Sequence, residues 1–377
     1  MGNLEQKISE RVDSGSLRAL PKRTNAIDFS SNDYLGLARN KTLYLEIEKD
    51  IRSKKTDKQL NGATGSRLLS GNNEIIEQIE RSLAQRFDAS ACLLFNSGYN
   101  ANLSILSCLP QKSDTIIYDE LIHASLIDGA RLSYAKRFSF RHNDLEDLEK
   151  KLKHAQGEIY VVVESIYSMD GDECVIEEII QVSQRYNAKL IVDEAHSTGV
   201  WGELGNGWLC NKKTHHQIFA RIYTFGKAIG LHGACICGSE DLKTYLINFA
   251  RPFIYTTALP IAHYIAIETT FNYLSSNLYL QKQLFANIDF FQKNMTFANS
   301  SINQLMQLSN SAIQIIPTPG NGKARKIAAQ LAEHNFDVKA ILSPTVAEGK
   351  ERLRVCLHSF NTEEEILGFS NILKTIL

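Results

Sequence analysis

Five short polar clusters carry residue types from which chemistry can be built. Lys227, in Thr224-Phe225-Gly226-Lys227-Ala228-Ile229-Gly230, directly follows an apolar run. A lysine so placed, flanked by small residues, can be desolvated until its amine forms an imine. Thr224 offers a hydroxyl to a phosphate. Asp193, in Val192-Asp193-Glu194-Ala195-His196-Ser197-Thr198-Gly199, closes the run Lys189–Val192. A carboxylate there can pair with a protonated pyridine nitrogen and make the ring an electron sink. His196 can reach the phenolic oxygen of such a ring. Asn96-Ser97-Gly98-Tyr99-Asn100-Ala101-Asn102 follows the run Ala91–Phe95 and presents backbone N–H groups to a phosphate. His123, in Asp119–Ser125, can stack on an aromatic ring. Ser168, in Glu164–Asp172, can touch a cofactor or orient Asp193 or His196.

Each cluster alone has an ordinary explanation. Loop lysines are usually solvated, aspartates often cap helices, and lone histidines are mostly structural. The joint pattern is what discriminates. Together the clusters supply an imine lysine, a ring-nitrogen carboxylate, a stacking ring and a phosphate cradle, the parts of a pyridoxal 5'-phosphate site. The competing phosphate and metal motifs, G-x-G-x-x-G after a strand, G-x-x-x-x-G-K-[ST] and H-E-x-x-H, are missing from the sequence.

The elements that must position these residues are legible in the hydrophobic pattern. Between about residues 60 and 240, apolar runs predict strands at Ala91–Phe95, Thr115–Tyr118, Ile159–Glu164, Lys189–Glu194, Arg221–Phe225 and Gly233–Cys237. They are apolar throughout, as in strands covered on both faces. Helical spacing lies between them: Ile75, Ile79, Leu83 and Phe87, then Leu145, Leu148 and Leu152, then Ile176, Ile179 and Ile180. The alternation predicts an α/β fold, a mostly parallel sheet with helices on both faces. In such sheets ligands sit at the carboxyl ends of strands, where all five clusters fall.

Beyond about residue 270 the pattern changes. A helical stretch with Leu284, Ile288 and Phe291 precedes a strand at Ala312–Ile316, a turn at Pro317–Gly322, a helix around Ile327–Leu331 and a strand at Arg352–Leu357. This reads as a smaller α+β domain. The expected organisation is an N-terminal arm (1–38), a large α/β domain (39–270) and a small C-terminal domain (271–377).

A formal net charge of -1 argues against nucleic acid or an anionic membrane surface as main partner. No apolar run is long enough to span a bilayer, and the charged start lacks a secretory h-region, so a cytoplasmic protein is expected. The seven cysteines are scattered, with Cys235 and Cys237 the only close pair and no Cys-x-x-Cys spacing; they read as reduced structural thiols.

These motifs resemble those of the α-oxoamine synthases, fold-type I pyridoxal 5'-phosphate (PLP) enzymes, along nearly the whole chain. The matching stretches are Ser30–Leu37, Gly65–Asn72, Ser97–Asn102, His123–Ser125 with Asp128-Gly129, Ser168–Asp172, Asp193–Val200, Thr224–Ala228, and Pro344–Val346 with Arg352–Arg354. The resemblance implies that Lys227 holds PLP and later moves the substrate Cα proton. It implies that Asp193 faces the ring nitrogen, His196 the phenolic oxygen and His123 the ring, with Ser168 against the cofactor. It assigns the phosphate to Gly98, Tyr99 and Thr224, with Thr256 and Thr257 reaching a partner's phosphate in a homodimer whose site lies at the interface. Asn32 and Arg354 become candidates for the amino-acid carboxylate, where a planar guanidinium suits bidentate binding. Thr345 and Arg18 become candidates for the acyl chain.

The implied reaction condenses L-alanine with pimeloyl-CoA or a pimeloyl carrier protein. It releases CO2 and the free thiol and yields 8-amino-7-oxononanoate, in biotin biosynthesis. Family members using glycine or serine with acetyl or palmitoyl thioesters are the alternative, and a non-catalytic subunit of a heterodimeric synthase is a remote one. The sequence departs from the family pattern at Leu342, where an arginine is usual, and at Asn206, within Gly205-Asn206-Gly207. Both departures bear on the acyl end of the site.

Overall fold

The structure is a computed structural model that describes residues 2–20, 25–54, 61–295 and 309–377. It divides into two compact units, Leu35–Ser168 with Glu173–Gln281, and Met1–Tyr34 with Met169–Asp172 and Lys282–Leu377.

The first unit is built on a seven-stranded sheet. Its strands are β1 (Ala91–Phe95), β2 (Thr115–Asp119), β3 (Lys136–Phe140), β4 (Ile159–Glu164), β5 (Lys189–Asp193), β6 (Ala220–Thr224) and β7 (Ala234–Gly238), in the spatial order β1-β7-β6-β5-β4-β2-β3. The pairs β6/β5, β5/β4, β4/β2 and β2/β3 are parallel, and β7 runs against both of its neighbours. The carboxyl ends of β1 to β6 therefore share one edge of the sheet, and the five polar clusters begin there.

The apolar runs became strands because both faces are covered. All five residues of β1 and of β6 are buried, as are five of the six in β4. Strand β3 has no such run. Its sequence is Lys-Arg-Phe-Ser-Phe with only the last residue buried. It is an edge strand, and basic side chains on an edge discourage pairing with another chain. The helix Ile261–Ser276 was equally hard to read, since ten of its sixteen residues are buried and no polar stripe marks its period.

Helices Gly98–Cys108 and Ala124–Leu132 pack closely on this unit. Gly129 allows the approach: a Cβ there would stand 2.9 Å from the Asn102 carbonyl oxygen and 3.0 Å from Leu106 Cβ.

The second unit has a three-stranded antiparallel sheet, with Arg352–Cys356 between Lys339–Ile341 and Ile313–Pro317, and a short parallel pair, Ile27–Asp28 with Phe336–Asp337. Helices Asn321–Glu333 and Glu363–Ile376 complete it, the latter opened by a Thr362/Glu365 capping box. Its core is aromatic: Phe29 and Phe369 lie with ring centroids 4.8 Å apart, and Phe336 meets Phe369 edge-on at 5.7 Å.

Candidate active site

At the carboxyl edge of the large sheet, strand register decides which side chains meet. Glu164 of β4 and Asp193 of β5 are cross-strand partners. Asp193 is buried, and its carboxylate accepts two hydrogen bonds, from Ala195 N–H at 2.9 Å and from Asn102 Nδ2 at 2.8 Å. Asn102 Nδ2 also donates to Ser125 Oγ at 2.9 Å, and Ser125 Oγ lies 2.7 Å from His123 Nδ1. A polar chain thus runs from His123 through Ser125 and Asn102 to Asp193.

Neither Asn102 nor Ser125 was assigned a role from sequence. Both lay inside quoted motifs. Asn102 stands one helical turn after Gly98, on the buried face of that helix, and this spacing was the available signal.

Lys227 follows β6 by three residues. A tight turn carries it, with Gly230 N–H donating to the Lys227 carbonyl at 2.8 Å. Gly230 has φ +69°, and a Cβ there would collide with the Ala38 backbone nitrogen, so the turn excludes other residues. Lys227 Nζ lies 2.7 Å from His196 Nε2.

The helix Gly98–Cys108 begins directly after β1. Ser97 caps it by accepting from Asn100 N–H at 3.2 Å. The first-turn N–H groups of Gly98 and Tyr99 have no intrahelical partners. Thr224 faces that turn closely, since a Cβ on Gly98 would lie 3.0 Å from Thr224 Oγ1. Asn96 Nδ2 donates to Thr256 Oγ1 at 3.3 Å and to the Thr257 carbonyl at 2.6 Å. Ser168 is buried at the end of the segment after β4. Tyr99 is exposed, and its hydroxyl donates to Asp128 at 2.8 Å.

In the second unit, Arg354 is buried, and both of its terminal nitrogens donate to Asn32 Oδ1 at 3.2 Å. Arg18 Nη2 donates to Thr345 Oγ1 at 3.4 Å. Each candidate substrate pair is therefore in contact within this unit. Asp170 of the Ser168–Asp172 motif forms an ion pair with Arg352.

Electrostatics adds Glu164, a residue given no role from sequence. Removal from water, and then the Asp193 carboxylate, push it up to about 8, against the pull of Lys227 and the His123 N–H that donates to it. Glu164 is thus mostly protonated at pH 7. For His123, desolvation and then the Lys227 charge lower the value, with Asp193 opposing, so its ring is neutral there.

A carboxyl raised from 4.5 to about 8 binds its proton more tightly folded than unfolded. Its stabilising contribution is complete below about pH 4.5 and is lost as the pH climbs through 8. Glu164→Gln removes this titration. Thermal unfolding of cofactor-free protein should show the variant gaining stability relative to the parent between pH 5 and 9, by roughly 1.4 kcal/mol per pH unit at most. Parallel pH profiles for the two proteins would refute the assignment.

These groups fit PLP. The residues present include an amine near an imidazole, a buried carboxylate held by two donors, and a helix start where a Cβ would press on a threonine hydroxyl. Fold and site thus define a class, the fold-type I PLP-dependent transferases. The comparisons place the chain more narrowly. The sequence pattern of the family "Aminotransferase class I and II" matches residues 24–368. An 8-amino-7-oxononanoate synthase of Emericella nidulans is 37% identical over 99% of this chain and 93% of its own length. One of Chromohalobacter salexigens is 34% identical over 96% and 93%. Among solved structures, an 8-amino-7-oxononanoate synthase of Francisella tularensis is similar at 29% identity with TM-score 0.77, over 93% of this chain and 97% of its own. Serine palmitoyltransferase of Sphingomonas wittichii shares the fold, with TM-score 0.89 at 24% identity over 100% and 97%. The chain belongs to the class I and II aminotransferase family and, within it, to the α-oxoamine synthases. It is a PLP-dependent enzyme that transfers acyl groups.

Proposed function

We propose that the chain condenses L-alanine with a pimeloyl thioester, of CoA or a carrier protein, giving 8-amino-7-oxononanoate, CO2 and the free thiol in biotin biosynthesis. The observation that carries the chemistry is the grouping of Lys227 with His196, and of Asp193 with Asn102, at one sheet edge. The choice of alanine and pimeloyl rests on relatives of that name matching nearly end to end.

When bound, PLP supplies an electron sink for a carbanion at the amino-acid Cα. Lys227 would hold it, and the freed Nζ would take the Cα proton and later return it. His196 Nε2 lies 2.7 Å from that nitrogen and would face the phenolic oxygen. Asp193 would face the ring nitrogen; its two donors keep the carboxylate oriented, and its burial strengthens a charge pair there. His123, neutral, would stack on the ring without repelling Lys227. Ser168 would lie against the cofactor, and Gly98, Tyr99 and Thr224 would hold its phosphate. Arg354 with Asn32 would take the amino-acid carboxylate, and Arg18 with Thr345 the acyl end. A homodimer in which Thr256 and Thr257 serve the partner's phosphate completes the reading, with the cytoplasm as its place of action. Among the described residues no helix is long and apolar enough to cross a membrane.

A thiol-release assay crossing alanine, glycine and serine with pimeloyl-, acetyl- and palmitoyl-CoA tests the proposal. Alanine with pimeloyl-CoA should turn over at least about tenfold faster than any other pair, the factor a pocket gains from 1.4 kcal/mol of discrimination. Turnover of another pair alone would move the chain to glycine C-acetyltransferase or serine palmitoyltransferase activity. Turnover of none, with PLP bound and a pimeloyl carrier protein also inert, would favour a non-catalytic subunit.

A further inference from the structure

Cys92, Cys235 and Cys237 take no part in the chemistry above. The sheet brings them together. Cys92 of β1 and Cys237 of β7 are cross-strand partners. Cys235 lies two residues back along β7, so it shares the face of Cys237. The three sulfur atoms all lie within 4.8 Å of one another, and Cys235 Sγ stands 3.9 Å from Cys237 Sγ. All three residues are buried. A thiolate–zinc bond of about 2.3 Å separates sulfurs around one shared ion by roughly 3.8–4.0 Å. The trio is therefore within a small side-chain adjustment of ligand spacing.

A second observation points the same way. Arg221 of β6 is the cross-strand partner of Cys237 on the opposite side, so Cys92, Cys237 and Arg221 form one row across three adjacent strands. Arg221 is 3% exposed. Its guanidinium donates to the carbonyls of Phe87 at 2.6 Å and Asp88 at 2.9 Å, to Tyr223 Oη at 2.9 Å and to Cys210 Sγ at 3.4 Å. Among the described residues no carboxylate stands within ion-pair distance of it. The buried Glu194 acts on it from beyond ion-pair distance, and an anionic centre in the same row would further offset the cost of burying this cation.

We propose that Cys92, Cys235 and Cys237 form a binding site for one thiophilic divalent d10 cation of the zinc–cadmium class, with Arg221 as its countercharge. Three thiols release three protons as they bind the ion. The centre then carries one net negative charge, which Arg221 balances.

The test is cadmium titration of the reduced, metal-free, PLP-loaded protein under anaerobic conditions. Readouts are the thiolate-to-cadmium charge-transfer absorption and the metal retained after desalting. One equivalent should saturate the band and be retained. Cys92→Ala and Cys237→Ala should each weaken retention by more than the roughly 10–100-fold that outer-shell changes cost, while Cys174→Ala should leave it unchanged. Bound-cofactor absorption verifies that each variant is folded. X-ray absorption on the parent protein gives the sulfur coordination number without any variant, and three is expected. No retained cadmium, retention that survives loss of Cys92 and Cys237, fewer than three sulfurs, or a Cys92–Cys237 disulfide in the isolated protein would each overturn the proposal.

Discussion

Lys227→Ala is expected to abolish covalent cofactor attachment and to slow turnover by roughly 10²–10⁴-fold or more, the usual span for a group that moves a proton in the rate-determining step. Borohydride reduction of the parent protein should leave one pyridoxyl label, on Lys227. The Lys227→Ala protein should take up PLP without fixing it. Its fold should be retained, because the turn is carried by backbone bonds and by Gly230 rather than by the lysine side chain. Adding a small primary amine offers a sharper check. If the loss reflects the missing amine at this position, amine should restore part of the rate; if the turn has collapsed, it should not. A label on another lysine, or full activity in the variant, would remove the centre of the proposed site.

Asp193→Asn is expected to cost roughly 10²–10³-fold in kcat, comparable with removal of a preorganised electrostatic group from an enzyme site. The two donors bond different oxygens of Asp193, so the amide can keep one of these bonds, and its NH2 meets Asn102 only if that amide turns to present its oxygen. The negative charge is lost as well. Without it a protonated ring nitrogen has no partner, and the cofactor's capacity to stabilise a carbanion falls. The drop should therefore appear in kcat, with KM for the thioester nearly constant, and the visible absorption of the bound cofactor should shift. A variant whose kcat is intact, or whose loss lies wholly in KM, would mean that Asp193 serves binding rather than the ring's electronics.

The two predictions draw on different kinds of legibility. Lys227, Asp193 and His196 were readable because each closes or closely follows a buried apolar strand, and a strand of that kind announces its own carboxyl end. Strand β3 and the helix Ile261–Ser276 were not readable, for opposite reasons. One is too polar along an exposed edge and the other too uniformly apolar to show a period. Asn102, Ser125 and Glu164 lay within the motifs and still received no role. Their importance depends on contacts between strands and helices far apart in sequence: Asn102 to Asp193 spans 91 positions, and Glu164 to the His123 backbone spans 41.

The thiol trio makes the same point. In the sequence the seven cysteines are scattered, with one close pair and no ligand spacing, and reduced structural thiols were the natural reading. Antiparallel pairing of β1 with β7 sets Cys92 opposite Cys237, and the reversal of β7 against β6 sets Arg221 beside them.

What the sequence alone determined was therefore the inventory and its approximate placement: an α/β architecture, a cofactor class, and a lysine, a carboxylate and a histidine at the carboxyl ends of strands. These follow from residue type and from periodicity, both of which are local. The tertiary structure alone decided the register of β4 against β5, which sets Glu164 beside Asp193 and keeps it protonated. It also decided the polar chain from His123 to Asp193 and the convergence of three cysteines on one face. The physical reason is that cross-strand pairing, and the low dielectric that shifts a buried carboxyl, exist only once distant segments have removed each other's water.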